Sequence, residues 1–381
     1  MKIEPFALER WMTRWETVVQ YDLAESGIQP LRVRELLAMA DDPSVLDRAL
    51  DTRLGYSEAR GTAELRGLLA ALYRETSPDE ILVTTGAIEA NFLLFNALLD
   101  PGDHVVAVHP AYQQLFSVPR AIGCDVSLWR LTPENDFRYD VDELERLVTD
   151  RTRMIVINTP HNPTGSTLSA DELRRVYGIA ERAGAWVLAD EAYRWLELPG
   201  REPLAGPLRD LGARGISVGT LSKPFGLPGL RIGWMAAPEQ VVNACWGLRD
   251  YVSLSPGKLN DLLATIAIRQ RERILERTRA ISRGNLAYLE QWIHQSEGLF
   301  DWVPPRGGLL GLLHYQLDLP SLEVADRLAA EASVMLAPGS AFGYEGRLRI
   351  GVGQDPAHFE EGLGVTAHFF ERLAGEARTR R

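Results

Sequence analysis

The chain has 381 residues, of which 45% are hydrophobic, 24% charged and 8% aromatic, which excludes a disordered, collagenous or membrane-embedded protein and fits one large or two modest globular domains. With 41 basic against 52 acidic residues the net charge is −11, so the global field repels polyanions and disfavours nucleic acid and anionic membranes as partners, while leaving room for a local pocket that binds one phosphate. Two cysteines, Cys124 and Cys245, cannot build a disulfide framework or a CxxC site, a scarcity that fits a reducing, cytoplasmic setting.

Taken in chain order, the N-terminus MKIEPFALERWMTRWE has no uninterrupted apolar core and does not read as a signal peptide. No apolar run approaches the ~20 residues of a membrane-spanning helix. The first 45 or so residues carry tryptophans and helix formers and are expected to pack with the C-terminal part or on a partner subunit. From Glu80 to Trp234, short β-branched runs alternate with helix-patterned stretches, the pattern of βα units around a mostly parallel sheet. The runs are Glu80–Thr84, His104–Val108, Met154–Asn158, Ala185–Ala189 and Ile216–Val218, with Arg231–Met235 close enough behind to be an antiparallel neighbour. The loops that follow read TTGAIEA, HPAYQQ, NTPHNPTG, DEAYRW and GTLSKPFGLPG, and such loops bind ligands in open α/β sheets. Arg269–Glu290 is then long, charged and helical in period, and Pro304-Pro305-Arg306-Gly307-Gly308 breaks it before another apolar run. The expected division is a large α/β domain over 46–270 and a smaller α+β domain formed by 1–45 with 271–381.

Several residues on these loops carry chemistry. Lys223 follows a buried-type strand, where desolvation and the Arg231 cation are expected to lower its pKa toward a nucleophilic amine; a solvated loop lysine is the plainer alternative. Asp190 ends an apolar strand and needs a cationic partner, either a protonated pyridine nitrogen or an arginine. Gly86-Ala87-Ile88-Glu89 joins a strand to a helix whose first amides suit a phosphate, and Thr220, Ser222 and Arg231 can complete that cage or simply cap turns. Asn162 lies on a rigid Asn-Pro turn, Tyr112 and Tyr193 follow strands where an aromatic face can meet a planar ligand or merely pack, and Arg349 can clamp a carboxylate or form a surface ion pair.

Competing signals are weaker. Gly215-Ile-Ser217-Val-Gly219 matches the GxSxG elbow of serine hydrolases, but Ser217 falls inside the strand and no helix follows. GxGxxG, GxxxxGK[ST] and HExxH are absent, and the seven histidines show no zinc spacing, so no metal is expected.

Together, Tyr56-Ser-Glu-Ala-Arg-Gly61, Asn158-Thr-Pro-His-Asn-Pro-Thr-Gly165, Asp190-Glu-Ala-Tyr193, Ser222-Lys223 with Arg231 eight residues on, and Arg349 resemble the class I/II, fold type I, pyridoxal-phosphate (PLP) aminotransferases from about Tyr56 to Arg349. The resemblance implies that Lys223 holds PLP as an internal aldimine and shuttles the proton, that Asp190 keeps the pyridine nitrogen protonated, and that Asn162 and Tyr193 bond the phenolic oxygen. It further implies that Tyr112 stacks on the ring, that Gly86, Ala87, Ile88, Thr220, Ser222 and Arg231 hold the phosphate, that Tyr56 reaches in from the other subunit of a homodimer, and that Arg349 binds the substrate α-carboxylate. The partners implied are an L-amino acid and a 2-oxo acid, reacting through an external aldimine and quinonoid, with transamination the leading expectation. The early loop Asp22-Leu-Ala-Glu-Ser-Gly-Ile-Gln-Pro-Leu-Arg-Val-Arg-Glu35 departs from the common Gly-x-Pro-Asp/Glu-Phe pattern. With Arg249-Asp-Tyr-Val-Ser-Leu-Ser255 and Pro305-Arg-Gly-Gly308 it is more similar to capreomycidine synthase and its relatives, whose chemistry is elimination and cyclisation of a hydroxyarginine. A PLP-binding transcription regulator of this fold would need a basic winged-helix module of ~70 residues ahead of the βα region, and the available segment is shorter and not basic.

Overall fold

Seven strands from the middle of the chain assemble into one sheet in the computed structural model, which describes residues 2–379. In chain order the elements begin with α1 (Ala7–Trp15), β1 (Tyr21–Asp22), α2 (Val33–Met39), α3 (Val45–Leu50), α4 (Ala63–Ala70), β2 (Ile81–Thr84), α5 (Ala87–Leu98), β3 (His104–His109) and α6 (Gln114–Ile122). They continue with β4 (Asp125–Arg130), α7 (Val141–Leu147), β5 (Thr152–Asn158), α8 (Ala170–Ala183), β6 (Trp186–Asp190), β7 (Gly215–Thr220), β8 (Gly233–Ala236), α9 (Glu239–Arg249) and α10 (Lys258–Arg269). The last third holds α11 (Arg271–Gln295), β9 (Phe300–Trp302), β10 (Leu310–Tyr315), α12 (Ser321–Ala332), β11 (Val334–Met335), β12 (Ala337–Pro338), β13 (Arg347–Gly351) and α13 (Pro356–Thr379).

The large sheet runs β2-β8-β7-β6-β5-β3-β4, and only β8 is antiparallel to its neighbours, as the short connection before it requires. Both faces are covered, and the period of two sorts the side chains between them. Ile81, Val83, Trp234 and Ala236 enter a core with α4 and α10, whereas Leu82 and Met235 enter the opposite core with α5, α8 and α9. The helices are specified locally. In α8 the Ser169 hydroxyl accepts from the Glu172 amide and the Glu172 carboxylate accepts from the Ser169 amide, Gly184 ends the helix at φ 68°, and Leu173, Val176, Tyr177, Ile179 and Ala180 make the buried face.

β4 is a strand that the sequence pattern does not reveal. It lies at the sheet edge and alone among the seven is mostly half-buried or exposed, so its residues DVSLWR carry no apolar run to mark it. Ser217 is fully buried within β7, donating to Glu191 and accepting from the Arg209 amide, which leaves it no role as a hydrolase nucleophile.

A second, four-stranded sheet, ordered β12-β13-β10-β9, packs with α11, α12 and α13. The N-terminal tryptophans join this core: Trp11 and Trp15 both donate their indole N–H to Asp326 of α12 at 2.9 Å. Residues 8–28 belong to the smaller core, but Leu36, Leu37 and Val45 already pack with α4 and α10, and α11 bridges both through Ile274 and Leu289.

Candidate active site

The parallel strands β5, β6 and β7 deliver Asn162, Asp190 and Lys223 to one edge of the sheet, where the smaller domain closes over them. They line a cavity of about 430 Å³ together with Ala87, Ile88, Tyr112, Tyr193, Thr220, Ser222, Arg231 and Arg349. Of the sequence-predicted residues, Gly86 sits just behind this wall, and Tyr56 lies away from it.

One end of the cavity is built for an anion. Gly86, at φ 78°, caps α5 with no side chain, leaving the first-turn amides of Ala87 and Ile88 to face the cavity. A Cβ at Gly86 would come within 2.7 Å of the Arg231 guanidinium, so only glycine lets the arginine close on that turn. Thr220 donates to the Ser222 hydroxyl at 3.0 Å beside it. Two residues that appear in the sequence motifs without an assigned role brace the turn from below: Glu89 accepts from the Thr85 amide and pairs at 3.6 Å with the buried Arg249, whose guanidinium also donates to the carbonyls of Ala59 and Val83.

The other end is acidic and buried. Asp190 accepts from the Asn91 amide at 2.9 Å and from the Ala192 N–H at 3.1 Å, and burial pushes its carboxyl above the ordinary 3.8. The arginine partner considered from sequence is replaced by an uncharged amide, so the carboxylate keeps its demand for a cation. Asn91, on α5, gives no signal in sequence beyond a polar residue in an apolar helix.

Lys223 stands between these ends. Its ammonium donates to the Ser26 hydroxyl at 2.7 Å and lies 3.5 Å from the Glu25 carboxylate. The expected lowering of its pKa is overturned. Burial does pull it down, but the Glu25 carboxylate, with the Tyr193 phenol, outweighs burial, and Arg231 is not among the groups that act on it. Glu25 is held well below the usual carboxylate range, first by Lys223.

Arg349 is 2% exposed, which excludes a surface ion pair. It donates to the Ala24 carbonyl at 2.7 Å and to the Asn162 side chain at 3.3 Å, and its Nε has no partner although buried. Asn162 is itself held by the Asn158 side chain, and Tyr112 donates to Glu9 of α1 at 3.1 Å while its ring packs on Phe6. Tyr56 is 85% exposed and pairs through its backbone with Gly257, outside its own chain's cavity.

The loop that carries Glu25 has its own titration. Asp22 accepts from the Ala24 and Glu25 amides, yet burial and the neighbouring Glu25 charge raise its carboxyl from 3.8 to about 6. An acid with a raised folded pKa favours the protonated folded state, so its contribution to stability is full below pH about 4 and is lost as pH rises through about 6. Thermal melts across pH 4–6 are therefore expected to show Asp22→Asn losing less stability than the parent over that window; parallel curves would contradict it.

The residues fit the PLP that the sequence resemblance implies. Gly86 leaves a turn that a Cβ would fill, Asp190 is a buried carboxylate with no guanidinium against it, and Arg349 Nε is an orphaned donor suited to a carboxylate.

Residues 20–365 match the family model for aminotransferase class I and II. Capreomycidine synthase of Streptomyces vinaceus is 34% identical over 98% of this chain and 95% of its own length, and aspartate/prephenate aminotransferase of Thermus thermophilus is 30% identical over 84% of each. Among solved structures, a PLP-dependent aminotransferase from Streptococcus suis matches with a TM-score of 0.93 at 34% identity, covering 98% of this chain and 99% of that one. The PLP-dependent cyclase OrfR matches with a TM-score of 0.90 at 33% identity, covering 98% of each. The buried Asp190, the Gly86 turn and Lys223 thus stand in a full-length match, and the chain belongs to the class I and II aminotransferase family, whose cofactor is pyridoxal phosphate.

Proposed function

We propose that the chain is a homodimeric PLP enzyme that breaks the Cα–H bond of an L-amino acid and, in its leading reading, transfers the α-amino group to a 2-oxo acid. The observation that carries this is the convergence of Lys223, Asp190, Tyr193 and Arg349 on one cavity. Bound PLP supplies an electron sink for the Cα carbanion. Lys223 would hold the cofactor through its amine, and the same amine would take and return the substrate α-proton. Asp190 would keep a proton on the cofactor's ring nitrogen, Asn162 and Tyr193 would bind its phenolic oxygen, and Tyr112 would pack on it. The Gly86–Ile88 turn with Thr220, Ser222 and Arg231 takes the phosphate, and Arg349 takes the substrate carboxylate. Tyr56, exposed on its own chain, reaches the partner's site.

A second reading, β-elimination and cyclisation of a hydroxyarginine-type amino acid, is favoured by two observations. The Glu25 carboxylate stands 3.5 Å from the Lys223 amine, where a second proton carrier would serve the departure of a β-hydroxyl. Glu9 of α1 and Glu16 at its C-terminal cap also line the cavity and would suit a cationic side chain.

Titrating the yellow holoenzyme with amino acids, including arginine and 3-hydroxy-L-arginine, separates the two. Bleaching that a 2-oxo acid reverses is the expected result for transamination. A transient change with 3-hydroxy-L-arginine alone, recovering without a 2-oxo acid, would establish elimination instead. No yellow band after added PLP would refute both.

A further inference from the structure

The loop 22–28 is where this chain departs from the common family pattern, and it is built tightly against the site. The Ala24 carbonyl accepts from Arg349, the Gly27 amide donates to Glu25, and a Cβ at Gly351 or Gly353 would strike the loop backbone at about 2 Å. The result is a carboxylate fixed 3.5 Å from the Lys223 amine, with the Ser26 hydroxyl 2.7 Å from the same nitrogen. The titratable and charged groups facing this pair are Asp22 and Arg349 on the side of Glu25, and Asp190, Arg349 and the Tyr193 phenol on the side of Lys223.

From this geometry we infer that Glu25 is a second proton-carrying catalytic residue, paired with Lys223, which protonates a leaving group on the substrate β-carbon. The inference rests on the reading of Lys223 as the cofactor lysine. A single proton transfer across the pair, from the Lys223 ammonium to the Glu25 carboxylate, produces a neutral amine and a carboxylic acid together. The amine then takes the α-proton as the Cα–H bond breaks. The Cβ–O bond of a β-hydroxy substrate breaks with its electron pair staying on oxygen, and that oxygen takes the Glu25 proton and leaves as water. The ammonium and carboxylate that remain are the starting pair, so the net change is loss of one water and nothing is oxidised or reduced. The environment is consistent with this order. Lys223 is the foremost cause of Glu25's lowered pKa, with burial opposing it and the Gly27 amide and Arg349 adding to it, so discharging the amine removes the largest influence that keeps the carboxylate ionised.

The test compares Glu25→Gln and Glu25→Asp with the parent as PLP holoenzymes. Glutamine keeps the size and an acceptor for the Gly27 amide but carries no charge. The pH midpoint of the visible band should fall by about one unit or more in Glu25→Gln, because an anion beside the lysine nitrogen favours its protonated form, and Glu25→Asp should restore part of the shift. With 3-hydroxy-L-arginine, water loss should slow on the order of 10²-fold in Glu25→Gln. With 3-chloro-L-alanine, whose chloride needs no proton to depart, release should proceed at the parent rate. An unshifted midpoint, equal slowing of water and chloride loss, or a parent holoenzyme that releases no water from 3-hydroxy-L-arginine would overturn the role of Glu25. Failure of the underlying reading looks different, since Lys223→Ala would then keep the visible band.

Discussion

Lys223→Ala is expected to lower turnover by about 10⁴-fold, the upper end of what a positioned proton carrier contributes, and to abolish the yellow band of the purified protein. Both effects follow from position. The ammonium lies in a cavity that also holds Asp190, Tyr193 and Arg349, and among the described residues no other lysine lines it. The loss is not expected to come from unfolding, because Lys223 is half-buried in a loop and its removal leaves β7 and β8 paired as before. Circular dichroism should match the parent. Retained turnover, with substrate-dependent bleaching intact, would remove Lys223 from the chemistry.

Asp190→Asn is expected to cost about 10²- to 10³-fold in turnover. An opposite charge at contact distance shifts a pKa by roughly 1–3 units, and without it a pyridine nitrogen at neutral pH loses its proton and with it the electron sink. The substitution is nearly isosteric, and Asn91 can turn its unpartnered Oδ1 toward the new amide. Stability should respond in opposite senses with and without cofactor. In the apoprotein Asp190 is a buried acid whose folded pKa is raised, so its favourable contribution is present below pH 3.8 and is lost as pH rises above it. At neutral pH the Asp190→Asn apoprotein should therefore melt above the parent apoprotein, while PLP should raise the parent's Tm by more than it raises the variant's. A variant that melts lower in both forms would show that Asp190 is structural.

How the site comes to be legible is seen residue by residue. The phosphate turn, the Asn162 loop, Asp190 and the Ser222-Lys223 pair each follow an apolar run, and such runs show themselves through a short-range period of two and through Gly and Pro punctuation. Arg349 is marked by its place in a late strand, but its burial is not, because the groups around it come from the Asn162 turn and the Ala24 carbonyl. Edge strand β4 escapes notice for the converse reason: one polar face to solvent leaves no apolar run.

By itself, then, the sequence determined the α/β class, the antiparallel β8, and the set of side chains offered at the strand ends, all of which are written in local periodicity and turn chemistry. The tertiary structure alone decided what those side chains meet. Asn91 reaches Asp190 across 99 residues and Ser26 reaches Lys223 across 197, with Glu25 beside it, and no local pattern encodes such distances. That is why local reasoning expects the Lys223 pKa to fall whereas it is raised. Its charge state is set by a carboxylate brought from the opposite domain, and electrostatic neighbours follow from folding in three dimensions, not from proximity along the chain.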